Sequence, residues 1–494
     1  TLNDYASLAV LHAQVTPRAL AVLDQDLEVL RVQRNHLNPK ALTQSLPLIG
    51  ASKYHNQGNT YLGTGTSVAV LDTGCDYTRA AFGSCSSPGG QCKVAYAADF
   101  TTLDDKLLDD SGLHGTNVSA VVLGVAPGAK ILALDVFTGI PPGKVGATDA
   151  DILKALQWIV SNKAVYNISA ANLSLGGGDY QWYCIADAKS SGLKTVYQAG
   201  VLPVIASGNN SYGDGVNGPG CSPWAITVGA VYDSDVGKGS FAVCTDVTTK
   251  ADQVTCFSNT ARMVDLLAPG SLITAGGISM SGTSQASPHV AGAVAAIRGT
   301  AWGTSVASVA IRDLLRFRGK NVYEMAALGG VGLAMKRLDL YGFLLNTVPV
   351  NWVAFNDHRL SANLPSIPDG TGTALTSSIP VVQGANVDDI YVQITVAHRW
   401  ISDLEIILEG PDGTKVLLHK GKMLQSGMFG SNYNLNPIYG INASANLAKF
   451  HGKPTTGTWK LHLRDVVPDW GPQEQYLVSW DIMVKKCVTC TQRY

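Results

Sequence analysis

A chain of 494 residues is too long for one ordinary hydrophobic core and calls for about three units, although α/β catalytic domains run to ~300 residues as one. Apolar residues reach 46% and charged residues only 15%, against a usual ~25%, which excludes intrinsic disorder. With 36 basic and 37 acidic residues the net charge is -1, so no electrostatic footprint exists for nucleic acid or an anionic membrane as partner. Gly, Pro or Lys breaks every apolar run before about 18 residues, Val118–Phe137 included, which argues against a membrane-spanning helix.

Residues 1–40 read as strand, helix, strand. Tyr5–Val15 is apolar, Thr16 can cap a helix with Pro17 at its first position, and Leu27–Val32 returns as a strand. From Leu48 to about Leu345, buried strands alternate with amphipathic helices. Thr66–Leu71, Lys130–Val136 and Val201–Ile205 read as strands; His114–Leu123, Ala150–Ser161, Cys184–Gly192 and Ser284–Thr300 read as helices. This alternation predicts an α/β fold, a parallel sheet with helices on both faces. Asp357–Gly372, rich in Pro, Gly, Asn and Asp, reads as a linker or extended entry. Period-2 strands follow: Ile390, Val392, Ile394 and Val396 face one way, then Leu404, Ile406 and Leu408. Val416–Leu418 comes after a Gly410-Pro-Asp-Gly413 turn, and Trp459/Leu461/Leu463 and Trp480/Ile482/Val484 repeat the pattern. The C-terminal ~135 residues are therefore expected to form an all-β sandwich or jelly roll, with no internal repeat.

Nine cysteines are many for a reduced chain. The spacings Cys85/Cys92, Cys244/Cys256 and Cys487/Cys490 fall in polar or Gly-rich stretches where a bridge can close a loop. They predict disulfides and an oxidising compartment, hence secretion. A metal reading needs paired motifs, and Cys487-Val-Thr-Cys490 has no second pair. The odd count leaves one thiol over, for which Cys75 is the candidate. No signal peptide opens the sequence at Thr1, so any export signal is expected to lie outside it.

Three short segments can carry chemistry. Val68-Ala-Val-Leu-Asp72-Thr-Gly74 is a buried strand ending in an acid, at the rim where α/β active sites form; an aspartate capping the next turn is the plainer explanation. Gly112-Leu-His114-Gly-Thr116 is a Gly-flanked imidazole opening an apolar helix, suited to a proton shuttle, though a satisfied core histidine fits as well. Ser281-Gly-Thr-Ser284-Gln-Ala-Ser-Pro-His-Val-Ala-Gly292 delivers a serine at a helix N-terminus, with Val290, Val294 and Ile297 as its buried face. Unpaired backbone N–H groups there stabilise developing negative charge, while simple N-capping is the alternative. No Gly-x-Ser-x-Gly elbow occurs, which argues against an α/β-hydrolase.

Taken together the three stand in the order Asp, His, Ser, and the combination is far more specific than any one segment. Asp72-Thr-Gly, His114-Gly-Thr and Gly282-Thr-Ser284-Gln-Ala-Ser-Pro-His-Val-Ala-Gly resemble the three signatures of the subtilisin-like serine protease family, over roughly residues 48–345. The resemblance implies a secreted endopeptidase acting on protein or peptide substrates, with Asp72, His114 and Ser284 as catalytic triad. Ala206-Ser-Gly208-Asn209 resembles the segment whose asparagine completes the family's oxyanion hole. Asn172-Leu-Ser174-Leu175-Gly176-Gly resembles its substrate-binding strand, which implies Ser174, Leu175, Gly176, Ala206 and Gly208 as substrate-binding residues and Val145–Ala147 as the opposite edge.

No cofactor is implied for the chemistry. Structural Ca2+ is in keeping with the family, but only nine residues separate His114 from Gly124, so the loop that binds calcium there in many relatives is expected to be absent. The family's frequent second histidine is Asn117. Residues 1–43 resemble the C-terminal half of an inhibitory prodomain, implying the chain's own prodomain as inhibitor and cleavage between Arg34 and Thr43; a permanent N-terminal element is the alternative. Residues 44–347 are then the catalytic domain, and 348–486 resemble the P domain of proprotein convertases through Ile394-Thr-Val-Ala-His398, Ser402-Asp-Leu-Glu-Ile-Ile-Leu408, Gly410-Pro-Asp-Gly-Thr414, Gly457-Thr-Trp459 and Gly471 before the Trp480 strand. Residues 487–494 form a tail. The module is expected to support folding; a surface-binding jelly roll using Trp400 and Trp470 is the competing reading. A monomer is expected. Apolar residues are the expected P1 preference, because only Asp179 and Asp214 lie near enough for a kexin-like basic specificity. An inactive scaffold of the same fold is a further alternative, against which the full residue set argues.

Overall fold

The computed structural model describes residues 3–5, 10–12, 16, 42–101, 112–140, 144–261, 263–305, 308–324, 333–347, 352–357, 365–370, 373–381, 386–398, 403–420, 433–435, 438–440, 445–468 and 475–486. The chain divides into two compact units, Thr1–Lys40 and Ala41–Tyr494. In the first, β1 (Asn3–Tyr5) pairs antiparallel with β2 (Val10–His12), Asn3 opposite His12. Within the strand expected over Tyr5–Val15, the described residues Tyr5 and Val10–His12 lie in two paired strands. The expected helix from Pro17 and strand Leu27–Val32 lie outside the described residues.

After short helical turns at Ser45–Leu48, Ala51–His55 and Asn59–Leu62, the second unit continues with β3 (Ser67–Asp72), β4 (Val94–Asp99), α1 (His114–Val125) and β5 (Lys130–Asp135). A ribbon of β6 (Phe137–Ile140) and β7 (Lys144–Ala147) leads into α2 (Asp149–Tyr166). Next come β8 (Ile168–Leu173), β9 (Gly177–Tyr180), α3 (Ala188–Gln198), β10 (Leu202–Ala206), β11 (Val216–Gly218) and β12 (Ile226–Val231). Short β13 (Gly239–Ser240) and β14 (Thr245–Asp246) pair with each other before β15 (Leu266–Pro269). A ribbon of β16 (Ile273–Ala275) and β17 (Ile278–Met280) precedes α4 (Thr283–Arg298), α5 (Ser308–Arg318), β18 (Lys320–Glu324) and β19 (Leu333–Arg337).

Nine of these strands form one sheet in the order β18-β19-β15-β12-β10-β8-β3-β5-β4. All neighbours run parallel except β18, which is antiparallel to β19. β3, β8, β10 and β12 are buried at every position, the pattern of strands covered on both faces. The expected α/β architecture is thus the observed one. Helix α4 exceeds its expected buried stripe: nearly every residue from Thr283 to Ile297 is buried, not just Val290, Val294 and Ile297. The helix expected at Cys184–Gly192 begins instead at Ala188. Asp187 supplies the cap, its carboxylate accepting the Lys189 N–H at 2.8 Å, and Cys184 is committed to a disulfide.

Cys85–Cys92 and Cys244–Cys256 are bridged as their spacing predicts. Cys184–Cys221, 37 residues apart, joins segments that no local spacing relates. Cys75 is buried and outside these bridges, and Cys487 and Cys490 lie outside the described residues. Among the described residues no helix is long and apolar enough to cross a membrane.

The C-terminal portion is a β sandwich. One antiparallel sheet holds β20 (Trp352–Asp357), β28 (Tyr476–Lys486), β22 (Val387–His398) and β25 (Tyr433–Leu435), with β26 (Ile438–Gly440) also on β22; the other holds β21 (Leu375–Val381), β27 (Gly457–Asp465), β23 (Leu404–Glu409) and β24 (Lys415–Lys420). Every residue of the period-2 sets from Ile390 to Val396, Leu404 to Leu408, Trp459 to Leu463 and Trp480 to Val484 is in its core. Of the two readings of 357–372, the described residues favour the extended entry. Asp357 ends a strand paired with β28, and Ile367 is buried with its N–H donating to the Gln475 carbonyl at 2.9 Å. Among the described residues of this stretch, Pro365–Ile367 lie along Gln475–Leu477 of the sandwich. Trp400 and Trp470 lie outside the described residues.

Candidate active site

The strand order decides which loops meet. β10, β8 and β3 are neighbours and parallel, so Ala206, Leu173 and Asp72 end at the same rim. Asp72 closes β3 fully buried, and its Oδ1 accepts the Thr73 N–H at 2.9 Å. The same oxygen lies 2.7 Å from His114 Nδ1, at the first residue of α1. Gly115 permits this approach: a Cβ there would stand 2.2 Å from the Gly74 carbonyl oxygen and 3.1 Å from Asp72 Cβ. Thr73 Oγ1 accepts the Gly115 N–H at 3.0 Å, satisfying a first-turn donor of the helix. Just before the histidine, Leu113 holds φ 62, a left-handed conformation costly for a branched side chain and a mark of constraint at a site.

Ser284 follows the Gly282–Thr283 start of α4. Pro288 lies in this helix and has no N–H to give the Ser284 carbonyl four residues back. Ser174, just past β8, supplies the replacement: its hydroxyl donates to that carbonyl at 2.8 Å, while its own carbonyl accepts the Ser284 hydroxyl at 3.3 Å. Asn172 Nδ2 steadies the Ser174 hydroxyl from behind at 2.9 Å. The Ser174 side chain thus points into the protein, and only its backbone remains for a ligand.

Asn209 sits beyond β10. Its Oδ1 accepts both the Thr283 N–H at 2.8 Å and the Thr283 hydroxyl at 2.9 Å, so the carboxamide is oriented with Nδ2 as its remaining donor end. Gly282 keeps the helix start close, since a Cβ there would lie 3.1 Å from that nitrogen.

A cavity of about 1090 Å³ is lined by His114, Ser284, Asn209, Ser174, Leu175, Gly176, Ala206 and Gly208, with Asp72 buried behind the imidazole. Gly146 and Ala147 line it from the β6–β7 ribbon, where the sequence placed the opposite edge. Phe137, Ile152, Tyr180, Tyr212 and Asn217–Pro219 also contribute, and sequence reading missed them. The β9–β11 ribbon that brings in Tyr180 and Asn217 has no local signature; its base is tied by Cys184–Cys221. Besides His114, the charged residues of the lining are Lys189 and Asp149, paired at 2.8 Å. Burial works against the Lys189 charge, but Asp149 and Asp187 outweigh it and hold the ammonium pKa above its ordinary value. Asp179 and Asp214 are not part of the lining.

One turn along α4, His289 is fully buried, its Nδ1–H donating to the Gln285 carbonyl at 2.8 Å. Burial pushes this imidazole down from 6.5 to about 4, the carbonyl contact opposing it. The unfolded chain therefore binds a proton between those values that the folded one refuses. Stability is fully present above about pH 6.5 and falls by up to about 3 kcal/mol as the pH drops toward 4. Unfolding midpoints measured across that range should decline with acid, and His289→Gln should flatten the decline; an unaltered slope in the variant would assign it to other groups. Among the described residues no group of three or more His, Cys, Asp or Glu side chains is placed to hold a metal ion, so no calcium ligand set is drawn from them.

Known proteins resemble this chain over two parts of its length. Residues 63–317 match the subtilase family and residues 387–484 the proprotein convertase P-domain. Subtilisin E from Bacillus subtilis is 30% identical over 309 residues, covering 58% of this chain and 69% of that protein. A cuticle-degrading serine protease of Arthrobotrys oligospora is 30% identical over 247 residues, 48% of this chain and 52% of that one. Among solved structures, a cold-adapted subtilisin-like serine proteinase aligns with a TM-score of 0.43 and 28% identity, over 56% of this chain and 89% of that one. With the family match extending over half of its length, the chain belongs to the subtilases, serine proteases that hydrolyse peptide bonds, and it carries a proprotein-convertase P domain behind the catalytic unit.

Proposed function

We propose that the chain is a secreted endopeptidase in which Ser284 is the nucleophile, His114 the general base and acid, and Asp72 the group that orients and stabilises the imidazolium. The 2.7 Å contact between His114 Nδ1 and Asp72 Oδ1, at the rim of the cleft that Ser284 also lines, carries the reading. With Nδ1–H committed to the carboxylate, Nε2 is the atom left to take the Ser284 proton as the hydroxyl adds to the peptide carbonyl. His114 then returns the proton to the leaving amine, and water, deprotonated by the same imidazole, hydrolyses the acyl-enzyme. The Asn209 Nδ2 donor and the Ser284 N–H stabilise the oxyanion. A fluorophosphonate should label the full chain stoichiometrically, with the adduct mapped by mass spectrometry to Ser284; labelling elsewhere, or none in a preparation that cleaves peptides, would overturn the assignment.

The fixed carboxamide makes Asn209 the second test. Asn209→Leu should lower kcat by about 10²–10³ with KM nearly unchanged, the range known for loss of the matching donor in subtilisin and carried over from it. Substrates should be apolar at P1, because the acidic side chain of the lining, Asp149, is already paired with Lys189. A kexin-like preference predicts instead that a peptide library is cut after Lys or Arg. Secretion is supported by three disulfides within the catalytic unit. Residues 1–43 act as a cleavable inhibitor in this reading, the P domain supports folding, and the enzyme is a monomer. N-terminal sequencing of active material that still begins at Thr1 would remove the cleavage step.

A further inference from the structure

We infer that a buried amide pair, Asn117 and Gln285, is a positioning element that sets the placement of His114 relative to Ser284. This rests on the assignment of those two as the reacting pair. Asn117 lies one turn beyond His114 on α1, and Gln285 directly follows Ser284 on α4; both are buried, with 0% and 1% of their surface exposed. Gln285 Nε2 donates to Asn117 Oδ1 at 3.2 Å. Asn117 Nδ2 donates in turn to three carbonyls of the β16–β17 ribbon, Ile278 at 2.9 Å, Ala275 at 3.3 Å and Ile273 at 3.4 Å. One side chain therefore joins the helix of the base, the first turn of the helix of the nucleophile, and the ribbon whose strand β17 runs through Ser281 into that turn.

The two helices are held differently at their other end. There Gly292 lets α4 close directly on α1, a Cβ at 292 falling 2.8 Å from Val125 Cβ and 2.9 Å from the Val122 carbonyl oxygen. At the reacting end that close approach gives way to polar contacts with directional geometry. Buried amides tolerate few alternatives, because a displaced partner leaves a donor or acceptor unpaired where water cannot replace it. A proton transfer is sensitive to placement: a misplacement of about 1 Å costs about 10²-fold.

The test is kinetic, on the full chain, with Asn117→Leu, Gln285→Leu and the double variant. Each single change should lower kcat by about 10–100-fold while KM stays within about twofold, and the double should be no worse than the poorer single, because both remove one bridge. Gln285→Leu leaves Asn117 on its three carbonyls and carries the test by itself if Asn117→Leu does not accumulate. Unchanged kcat in folded Gln285→Leu, a rise in KM with kcat intact, or losses that multiply would each overturn the inference. An unmodified chain that failed to cleave peptides would instead sink the underlying assignment, which the wild-type control separates.

Discussion

Ser284→Ala should abolish peptide hydrolysis, a loss of about 10⁶ in kcat, while moving the unfolding midpoint by no more than about 2 °C. The size of the kinetic loss is the value known for the serine of subtilisin and is carried over from it; the small thermal effect follows from this structure. The Ser284 hydroxyl makes a long 3.3 Å bond to the Ser174 carbonyl, and its residue is only half-buried, so little packing goes with it. The contacts that hold the helix start use the Ser284 carbonyl, which alanine keeps. A clean preparation of the variant that still turned over at the wild-type rate would remove Ser284 from the chemistry, and a collapse of the midpoint would show the hydroxyl to be structural.

Asp72→Asn should lower kcat by about 10³–10⁴, with KM nearly unchanged. Oδ1 accepts two donors, the Thr73 N–H and the His114 Nδ1–H, so the asparagine oxygen keeps that place and the tautomer with a basic Nε2 survives. The new NH₂ falls where Oδ2 now lies, buried with no hydrogen-bond partner among the described residues. The loss therefore measures the missing negative charge opposite the imidazolium. A deficit of less than tenfold would mean that Asp72 orients His114 and does little else.

Much of this was legible in the chain before any coordinates. Runs such as Val68–Leu71 read as strands buried on both faces, and the Asp, His and Ser segments are specific through their combination and order, their distance along the chain mattering little once a parallel sheet stacks strand ends at one rim. The sandwich was equally readable, since alternation from Ile390 to Val396 names its own buried face. What stayed hidden depends on distance along the chain. Cys184 pairs with Cys221 across a ribbon whose glycines carry no periodicity, and Asn217 reaches the cleft only because β11 folds onto β9. Asn117 reads as a departure from a family pattern; its partner Gln285, 168 residues on, can be found only in space. The start of α3 is a different kind of miss. Asp187 was a readable cap, and the apolar residues ahead of it drew the helix too early.

Helix α4 lies inside the core on every side, which gives the enzyme an evolutionary asymmetry. The reacting serine cannot be slid or tilted to suit a new substrate without dismantling the interior around it. The borders of the groove, by contrast, are two slender ribbons, β6–β7 and β9–β11, that can lengthen, shorten or change composition at little expense to that interior. Diversification of diet in descendants of this sequence should therefore be written in those ribbons, while the buried helix is inherited almost intact.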